Sequence, residues 1–399
     1  MSLKVLVIAP DYPYPVIGGL QKQAHELSRE LAQLGCDVLV LSGKHDAAGP
    51  SSELVDGIQV KRAPWIGHHR GRLTFNAIWT VLQILFRGNR FDVIHVHNLS
   101  LIGVVSAVAG WLSRTSVMMK LPASGPSGIP GLRAYPFGRG VIFMLKAVSA
   151  FVAMSHESVE ELNEISTPKR KVFKVMNGIN LQQFDETAGG DETSNTSNSP
   201  LKVVFTGRIV ARKGVADLLL AWKRLSETNR LGDSILEIVG EGEDEPRLRG
   251  LVAEYGIEAS VKFLGYRSDV PSLLVEADVF MLPSYAEGNS NSIIEAMAAK
   301  LPIVSTDVGG SAMLVGEEGG RWIVTAGDAD EMVRCLSEMI ESTELREEVG
   351  DRMRRRVEDY FDIKVVAADY LRAYRALAVD RRADMGPLAS NAFVNSKTL

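Results

Sequence analysis

Short apolar runs recur along both halves of the chain, each followed by a stretch whose apolar residues have helical spacing. In the first half they fall at 5–9, 38–41, 60–63, 93–96, 117–120, 151–154 and 172–175. The second half repeats the pattern at 203–205, 236–239, 261–263, 279–282, 303–305 and 322–324. Strands buried on both faces read as continuous apolar runs, and their alternation with helices is the pattern of a parallel sheet with crossover connections. Helices are expected at 20–34, where Ala24, Leu27, Leu31 and Leu34 share a face, and at 158–163, 215–225 and 365–379.

A chain of 399 residues exceeds the size at which one core keeps growing, so two domains are expected. Residues 186–200 hold no large apolar side chain and read as a flexible linker. The expected organisation is a Rossmann-like domain over 1–185, the linker, and a second Rossmann-like domain over 201–363. A helix is expected over 364–380, and 381–399 reads as a disordered tail. The fold class is thus α/β, two doubly wound domains facing across a cleft, with ligands at the carboxyl ends of the strands.

No apolar stretch reaches the ~20 residues that a membrane-spanning helix needs, and no secretory signal precedes the strand at 5–9. Cys36 and Cys335 have no metal or redox spacing, which fits free thiols in a reducing cytosol. Residues 1–185 carry 19 Lys and Arg against 13 Asp and Glu, whereas the remainder carries 25 against 36. A basic first half suggests an anionic partner, such as lipid headgroups or a lipid-pyrophosphate acceptor at the inner face of a membrane. The segment 65–90, with Arg70, Arg72, Arg87 and Arg90 around the apolar 75–86, could lie in a membrane interface or form a core helix with solvated ends. Nucleic acid is a poor partner, because the basic residues are dispersed and not interleaved with aromatics.

The most specific string is Glu287-Gly288-Asn289-Ser290-Asn291-Ser292-Ile293-Ile294-Glu295, which runs into a helix. Unpartnered N–H groups and the dipole at a helix start suit a diphosphate, and the glutamates can accept from sugar hydroxyls. The same residues also fit a capping box, Ser292 with Glu295, which would be purely structural. Upstream, Gly207-Arg208 and Lys213-Gly214 lie between the strand at 203–205 and the helix at 215–225. Cations there stand at the carboxyl end of a strand, and the glycines allow close backbone approach.

Asp328-Ala329-Asp330 could chelate a metal, but a helix N-cap with first-turn acids explains it better. Gly240-Glu241-Gly242 imitates a dinucleotide fingerprint, with acids where a pyrophosphate would approach. Gly18-Gly19 after the first strand could meet phosphate or sugar, or could be turn glycines. His95 and His97 alternate along one strand, an arrangement expected to put the two rings on opposite faces of the sheet; without a third ligand the pair does not read as a metal site.

With these strings, His95-Val96-His97-Asn98, Asn177-Gly178-Ile179-Asn180 and Val308-Gly309-Gly310, the chain resembles the retaining GT-B glycosyltransferases of family 4 from Met1 to about residue 325. The resemblance implies that Arg208 and Lys213 hold the donor diphosphate, that Glu295 takes the ribose hydroxyls, that Glu287 meets the transferred sugar and that the helix over 364–380 returns to the first domain. Gly207, Gly288, Asn289, Ser290, Asn291 and Ser292 would complete the cradle, with Gly240, Tyr266 and Arg267 beside the nucleoside. Core packing explains Tyr266 equally well. Gly18, Gly19, His97 and Ser124 are the acceptor-side candidates. The chain departs from the family in the loop 121–128, which lacks the histidine that many members carry, and at Asn180, commonly aspartate.

The expectation is a metal-independent, retaining transferase. It would move hexose or N-acetylhexosamine from UDP, in preference to GDP, onto a glycan or lipid-linked acceptor in polysaccharide synthesis, with no cofactor. A sugar-nucleotide epimerase or hydrolase on the same fold and a non-catalytic nucleotide-sugar-binding partner are the alternatives, separated by turnover with and without acceptor.

Overall fold

The computed structural model describes residues 2–10, 12, 18–44, 46–67, 71–125, 128–165, 171–188 and 200–382. They form two compact units, one ending at Gly178 and resuming at Ile363, the other spanning Ile179–Asp362.

The first unit opens with β1 (Lys4–Ile8), α1 (Gly19–Gln33), β2 (Asp37–Gly43) and the hairpin of β3 (Ser52–Val55) with β4 (Ile58–Ala63). It continues through α2 (Arg72–Arg87), β5 (Val93–Val96), α3 (Leu101–Leu112), β6 (Ser116–Leu121), α4 (Ile129–Arg133) and α5 (Gly138–Met144). It then runs through β7 (Ala150–Ala153), α6 (His156–Glu164) and β8 (Lys171–Lys174). The sheet order is β3-β4-β2-β1-β5-β6-β7-β8, parallel except at β3. β3 has no apolar run to betray it, because its four residues are all at least partly exposed and mix charge with apolar character. Its signal lies in the turn instead. Asp56 and Gly57 have φ of 47° and 80°, the two left-handed positions of a tight hairpin for which Asp-Gly is favoured.

The second unit comprises α7 (Gln182–Ala188), β9 (Lys202–Thr206), α8 (Val215–Glu227), β10 (Ile235–Val239), α9 (Glu245–Tyr255), β11 (Val261–Gly265) and α10 (Val270–Val275). There follow β12 (Val279–Leu282), α11 (Asn291–Ala298), β13 (Ile303–Thr306), α12 (Ser311–Gly319), β14 (Ile323–Val324), α13 (Ala329–Glu341) and α14 (Thr343–Tyr360). Its six parallel strands are ordered β11-β10-β9-β12-β13-β14. The order reverses between β9 and β12, and the carboxyl ends of that strand pair are where a doubly wound sheet takes its ligand.

The division between the units falls earlier than the composition implied. The chain leaves the first unit at Gly178, and Glu186–Ala188, expected to be linker, belong to α7, whose first turn is held by Gln182 N–H donating to Asn180 Oδ1 at 3.1 Å. Residues 189–199, the rest of that linker, and the tail from 383 lie outside the described residues.

The last helix, α15 (Ile363–Arg382), belongs to the first unit. Its Val366, Tyr370, Tyr374 and Leu377 join α1 and the sheet in one core cluster. Under it lies a buried polar group. Tyr374 Oη and His95 Nδ1 are 2.5 Å apart, and Lys120 Nζ donates to Asn177 Oδ1 at 2.8 Å. The His95 and His97 rings lie 4.1 Å apart, which corrects their expected placement on opposite faces. Residues two apart on a strand share a face.

Burial favours the neutral form of all three groups. It lowers the His95 pKa to about 3, His97 well below its ordinary value and Lys120 to about 7. The unfolded chain therefore binds more protons than the folded one wherever pH lies between the folded and ordinary values. Stability should rise from about pH 3 to 6.5 as the unfolded histidines lose their protons, and again from about pH 7 to 10.5 for the lysine. Lys120→Met should erase the upper rise, read as the pH dependence of the urea midpoint.

Candidate functional site

The loops after five strands of the second sheet meet at its carboxyl edge, and the tightest meeting is at the β9–β12 switch. Gly207 continues β9 with φ +155°, and its N–H donates to Val239 O at 3.0 Å. The chain then turns through Arg208 and a short helical turn to Gly214, which adopts φ +65° against Pro283 O and starts α8. Gly214 is required there because a Cβ would lie 2.0 Å from that carbonyl. Arg208 is exposed, and among the described residues no carboxylate pairs with it. Arg212, also exposed, donates to Ala286 O at 3.2 Å, and Tyr285 N–H donates to Arg212 O at 2.8 Å, so the β9 and β12 loops are bonded together.

Lys213 points inward. A Cβ on Gly207 would stand 3.8 Å from its Nζ. Lys213 Nζ donates to Glu287 Oε1 at 2.5 Å, and Ser284 Oγ donates to the same oxygen at 2.6 Å. Only 11% of the Lys213 side chain and 8% of the Glu287 side chain are exposed, so the pair is poorly screened. Glu287 itself is fixed from behind. Gly309, at φ +56°, packs so closely that a Cβ would lie 2.3 Å from Glu287 O, and Gly310 N–H donates to Gly288 O at 2.8 Å.

Gly288 to Ser290 lead into α11, whose N-cap is Ser290. The Ser290 side chain makes no cap bond; Ser290 Oγ and Ser292 Oγ are 3.0 Å apart. The capping-box reading of Ser292 with Glu295 is thereby corrected: Ser292 is the second residue of the helix, already inside its first turn and too late to cap it. The first-turn N–H groups of α11 thus present positive potential beside Lys213 and Glu287. Asn289, Asn291 and Glu295 are partly buried and each is engaged.

The β10 loop closes on the same edge. Gly240 N–H donates to Gly265 O at 2.8 Å, and Ile209 N–H donates to Glu241 O at 2.9 Å. Tyr266 N–H reaches Glu241 Oε1 at 3.4 Å. Tyr266 is 69% exposed, which corrects the core-packing alternative. Arg267 is engaged with Asp269 through both a 2.8 Å and a 2.5 Å bond, which hold its guanidinium above and the Asp269 carboxyl below their ordinary pKa values. Asp328 caps α13 by accepting from the N–H groups of Asp330 and Glu331, and Asp330 pairs with Arg224. The N-cap expected of that triplet is thus present.

The first-unit candidates are more dispersed. Gly18 is the N-cap of α1 and Gly19 its first residue, while Asp11 and residues 13–17 before them lie outside the described residues. His97 is only 4% exposed and stacks on His95, so its ring offers little surface to a substrate. Ser124 is partly buried on the loop after β6, and its neighbour Gly125 donates its N–H to Glu161 Oε1 at 2.5 Å. Glu161 also accepts from Ile129 N–H at 2.9 Å, so a carboxylate on α6 fastens both ends of that loop. Pro126 and Ser127 lie outside the described residues.

Sequence reasoning missed Ser284 and Glu161. Ser284 was legible as a hydroxyl three residues before Glu287 at a strand end, whereas Glu161 gave no signal, being one of four glutamates on a helix.

Comparison with known proteins bears on both halves. Residues 191–356 match the model of the glycosyl transferases group 1 family, and residues 18–178 match a glycosyl transferase 4-like domain. Glycogen synthase of Mycobacterium tuberculosis is 25% identical over 94% of this chain and 95% of its own. The UDP-Gal:alpha-D-GlcNAc-diphosphoundecaprenol alpha-1,3-galactosyltransferase of Escherichia coli is 25% identical over 64% of this chain and 68% of its own. Among solved structures, Anabaena HepE in complex with UDP-glucose superimposes with a TM-score of 0.73 at 18% identity, covering 94% of this chain and 100% of that one.

Proposed function

The chain belongs to the group 1 glycosyltransferases, enzymes of GT-B fold in glycan and polysaccharide synthesis, and on that premise we propose that its second unit seats a UDP-sugar at the β9–β12 switch. The observation that carries the reading is the buried Lys213–Glu287 pair, with Arg208 on the same loop as Lys213 and the first turn of α11 following Glu287. The diphosphate would take Lys213, Arg208 and the α11 amides. The transferred hexose or N-acetylhexosamine would face Glu287, and Glu295 would meet the ribose.

As the sugar–phosphate bond breaks, its electron pair passes to the leaving diphosphate, so fixed cations and amides stabilise the transition state more than the bound donor. These groups supply the charge that a metal would otherwise bring, which supports a metal-independent reaction. In a retaining transfer the acceptor hydroxyl enters on the face the diphosphate leaves, where a diphosphate oxygen can take its proton. Oxocarbenium character at the sugar is favoured by the nearby Glu287 carboxylate. UDP is preferred to GDP because the donor named for the E. coli relative is UDP-galactose and HepE holds UDP-glucose. The same relative's diphosphoundecaprenol acceptor supports a lipid-linked or glycan acceptor. No described helix is long and apolar enough to cross a membrane.

A thermal-shift panel of UDP- and GDP-sugars, run with and without a chelator, tests the donor site. One UDP-sugar should raise the melting temperature regardless of chelator, as about 100-fold excess over Kd stabilises by ~2.7 kcal/mol. Arg208→Ala should shrink that shift. An unchanged shift in the variant would remove Arg208 from the site.

A further inference from the structure

Residues 57–156 contain eleven Lys and Arg and a single acid, Asp92, whose carboxylate accepts from Lys4 N–H at 2.9 Å. This stretch builds one helix layer of the first unit. Ile84 of α2, Val104 and Ala107 of α3, Leu132 of α4 and Val141 of α5 all enter the same core cluster beneath the sheet.

The outer face of that layer is apolar where it should be polar. α2 buries only Thr80 and Ile84. Ile78, Leu82, Leu85 and Phe86, spaced i, i+4, i+7 and i+8, form a second stripe with exposures of 54, 43, 42 and 76%. A helix that is apolar all round is ordinarily enclosed by protein or lipid. The core-helix alternative for this segment is therefore corrected: one side is core and the other lies open.

The stripe does not end with α2. A Cβ on Gly88 would touch Ser113 Oγ at 2.6 Å, so the ends of α2 and α3 abut, and Trp111 and Leu112 stand 64 and 58% exposed there. Arg87, Arg90 and Arg114 surround this junction. Phe143 of α5 is likewise 64% exposed beneath Lys146, whose ammonium lies 4.7 Å from the ring centroid. His68, His69 and Arg70, which precede α2, lie outside the described residues.

We propose that the exposed face of α2, with the adjoining end of α3, docks on a membrane surface rich in anionic lipid headgroups. The chemistry is complementary on both counts: apolar side chains and an indole enter the acyl boundary while arginines meet phosphates. A second copy of the chain fits less well, since a two-fold contact centred here would set Arg87, Arg90 and Arg114 against their own copies, with Asp92 the one acid in residues 57–156 to offset them. The surface lies wholly on the first unit and does not depend on the donor reading.

Flotation of the full chain with vesicles of phosphatidylcholine, alone or mixed with phosphatidylglycerol, tests the proposal. The protein should float with the anionic vesicles, weakly with the neutral ones, and less at high salt. Arg87→Glu/Arg90→Glu and, separately, Phe86→Ser/Trp111→Ser should each lower anionic-vesicle binding by at least about tenfold with unchanged melting. Their donor-induced thermal shift should match the parent, which separates this surface from the nucleotide-sugar site. Absence of flotation by the parent, flotation of both variants equal to the parent's, or a dimer in sedimentation that the Phe86→Ser/Trp111→Ser variant converts to monomer would overturn it.

Discussion

Lys213→Met should lower kcat for sugar transfer by about 10²- to 10³-fold, the loss typical of removing one fixed donor aimed at developing charge. The size follows from where the ammonium sits. It is nearly buried, stands beside the Gly207 backbone and donates at 2.5 Å to Glu287, so its position is set before any ligand arrives. Preorganised charge of this kind incurs little reorganisation as the bond breaks, which a mobile surface lysine could not match.

The same substitution has a separable effect on stability. It takes the ammonium from Glu287 Oε1 and leaves the weaker Ser284 hydroxyl donating to that oxygen, on a side chain only 8% exposed. An underpartnered buried carboxylate costs about 1–3 kcal/mol. Adding Glu287→Gln to Lys213→Met should return most of that stability, because the charge itself is gone, and should return no activity. Melting temperatures of the four members of the cycle, with initial rates on the donor chosen by thermal shift, decide the matter. Lys213→Met at parental kcat would remove Lys213 from the chemistry, and a double variant as unstable as the single would show that the pair is not coupled.

The parallel strands were legible because burial on both faces makes each an unbroken apolar run, as in β12, where Val279, Phe280, Met281 and Leu282 are all fully buried. The antiparallel β3 was not, since an edge strand with one face exposed lacks that run; the Asp56-Gly57 turn was the local cue. The unit boundary was misplaced for a related reason. Composition marks where large apolar residues stop, after Phe184, whereas the crossing at Gly178 lies within a well-packed stretch that includes the buried Val175, Met176 and Ile179. For the site, residue type and strand-end position pointed to Lys213 and Glu287 separately. Their direct pairing depends on β9 and β12 being sheet neighbours although 74 residues separate the two side chains, which only the topology provides. The same limit hid Glu161, whose partners Gly125 and Ile129 lie 36 and 32 residues away.

Gly240→Ala should be severely damaging at this edge. Gly240 holds φ +135°, and an added Cβ would lie 1.9 Å from Gly207 O and 2.9 Å from Gly207 C, both backbone atoms of the neighbouring strand end. No rotamer relieves such a clash, so the β9 and β10 loops must part, and with them the bond from Ile209 N–H to Glu241 O. Gly256→Ala supplies the comparison. That glycine is the C-cap of α9 at φ +67°, equally left-handed, but with nothing within 4 Å of its would-be Cβ. It should lose only the conformational cost, about 1–2 kcal/mol, whereas Gly240→Ala adds a steric term that brings it above ~4 kcal/mol, where single substitutions become exceptional. Urea midpoints of the two variants measure the difference. Because the displaced loop carries Gly207 and Arg208, any folded Gly240→Ala protein should also lose its donor-induced thermal shift, while Gly256→Ala keeps it. Equal destabilisation of the two would mean that the loops yield freely, and the site would then have no rigid floor against which Lys213 could be held.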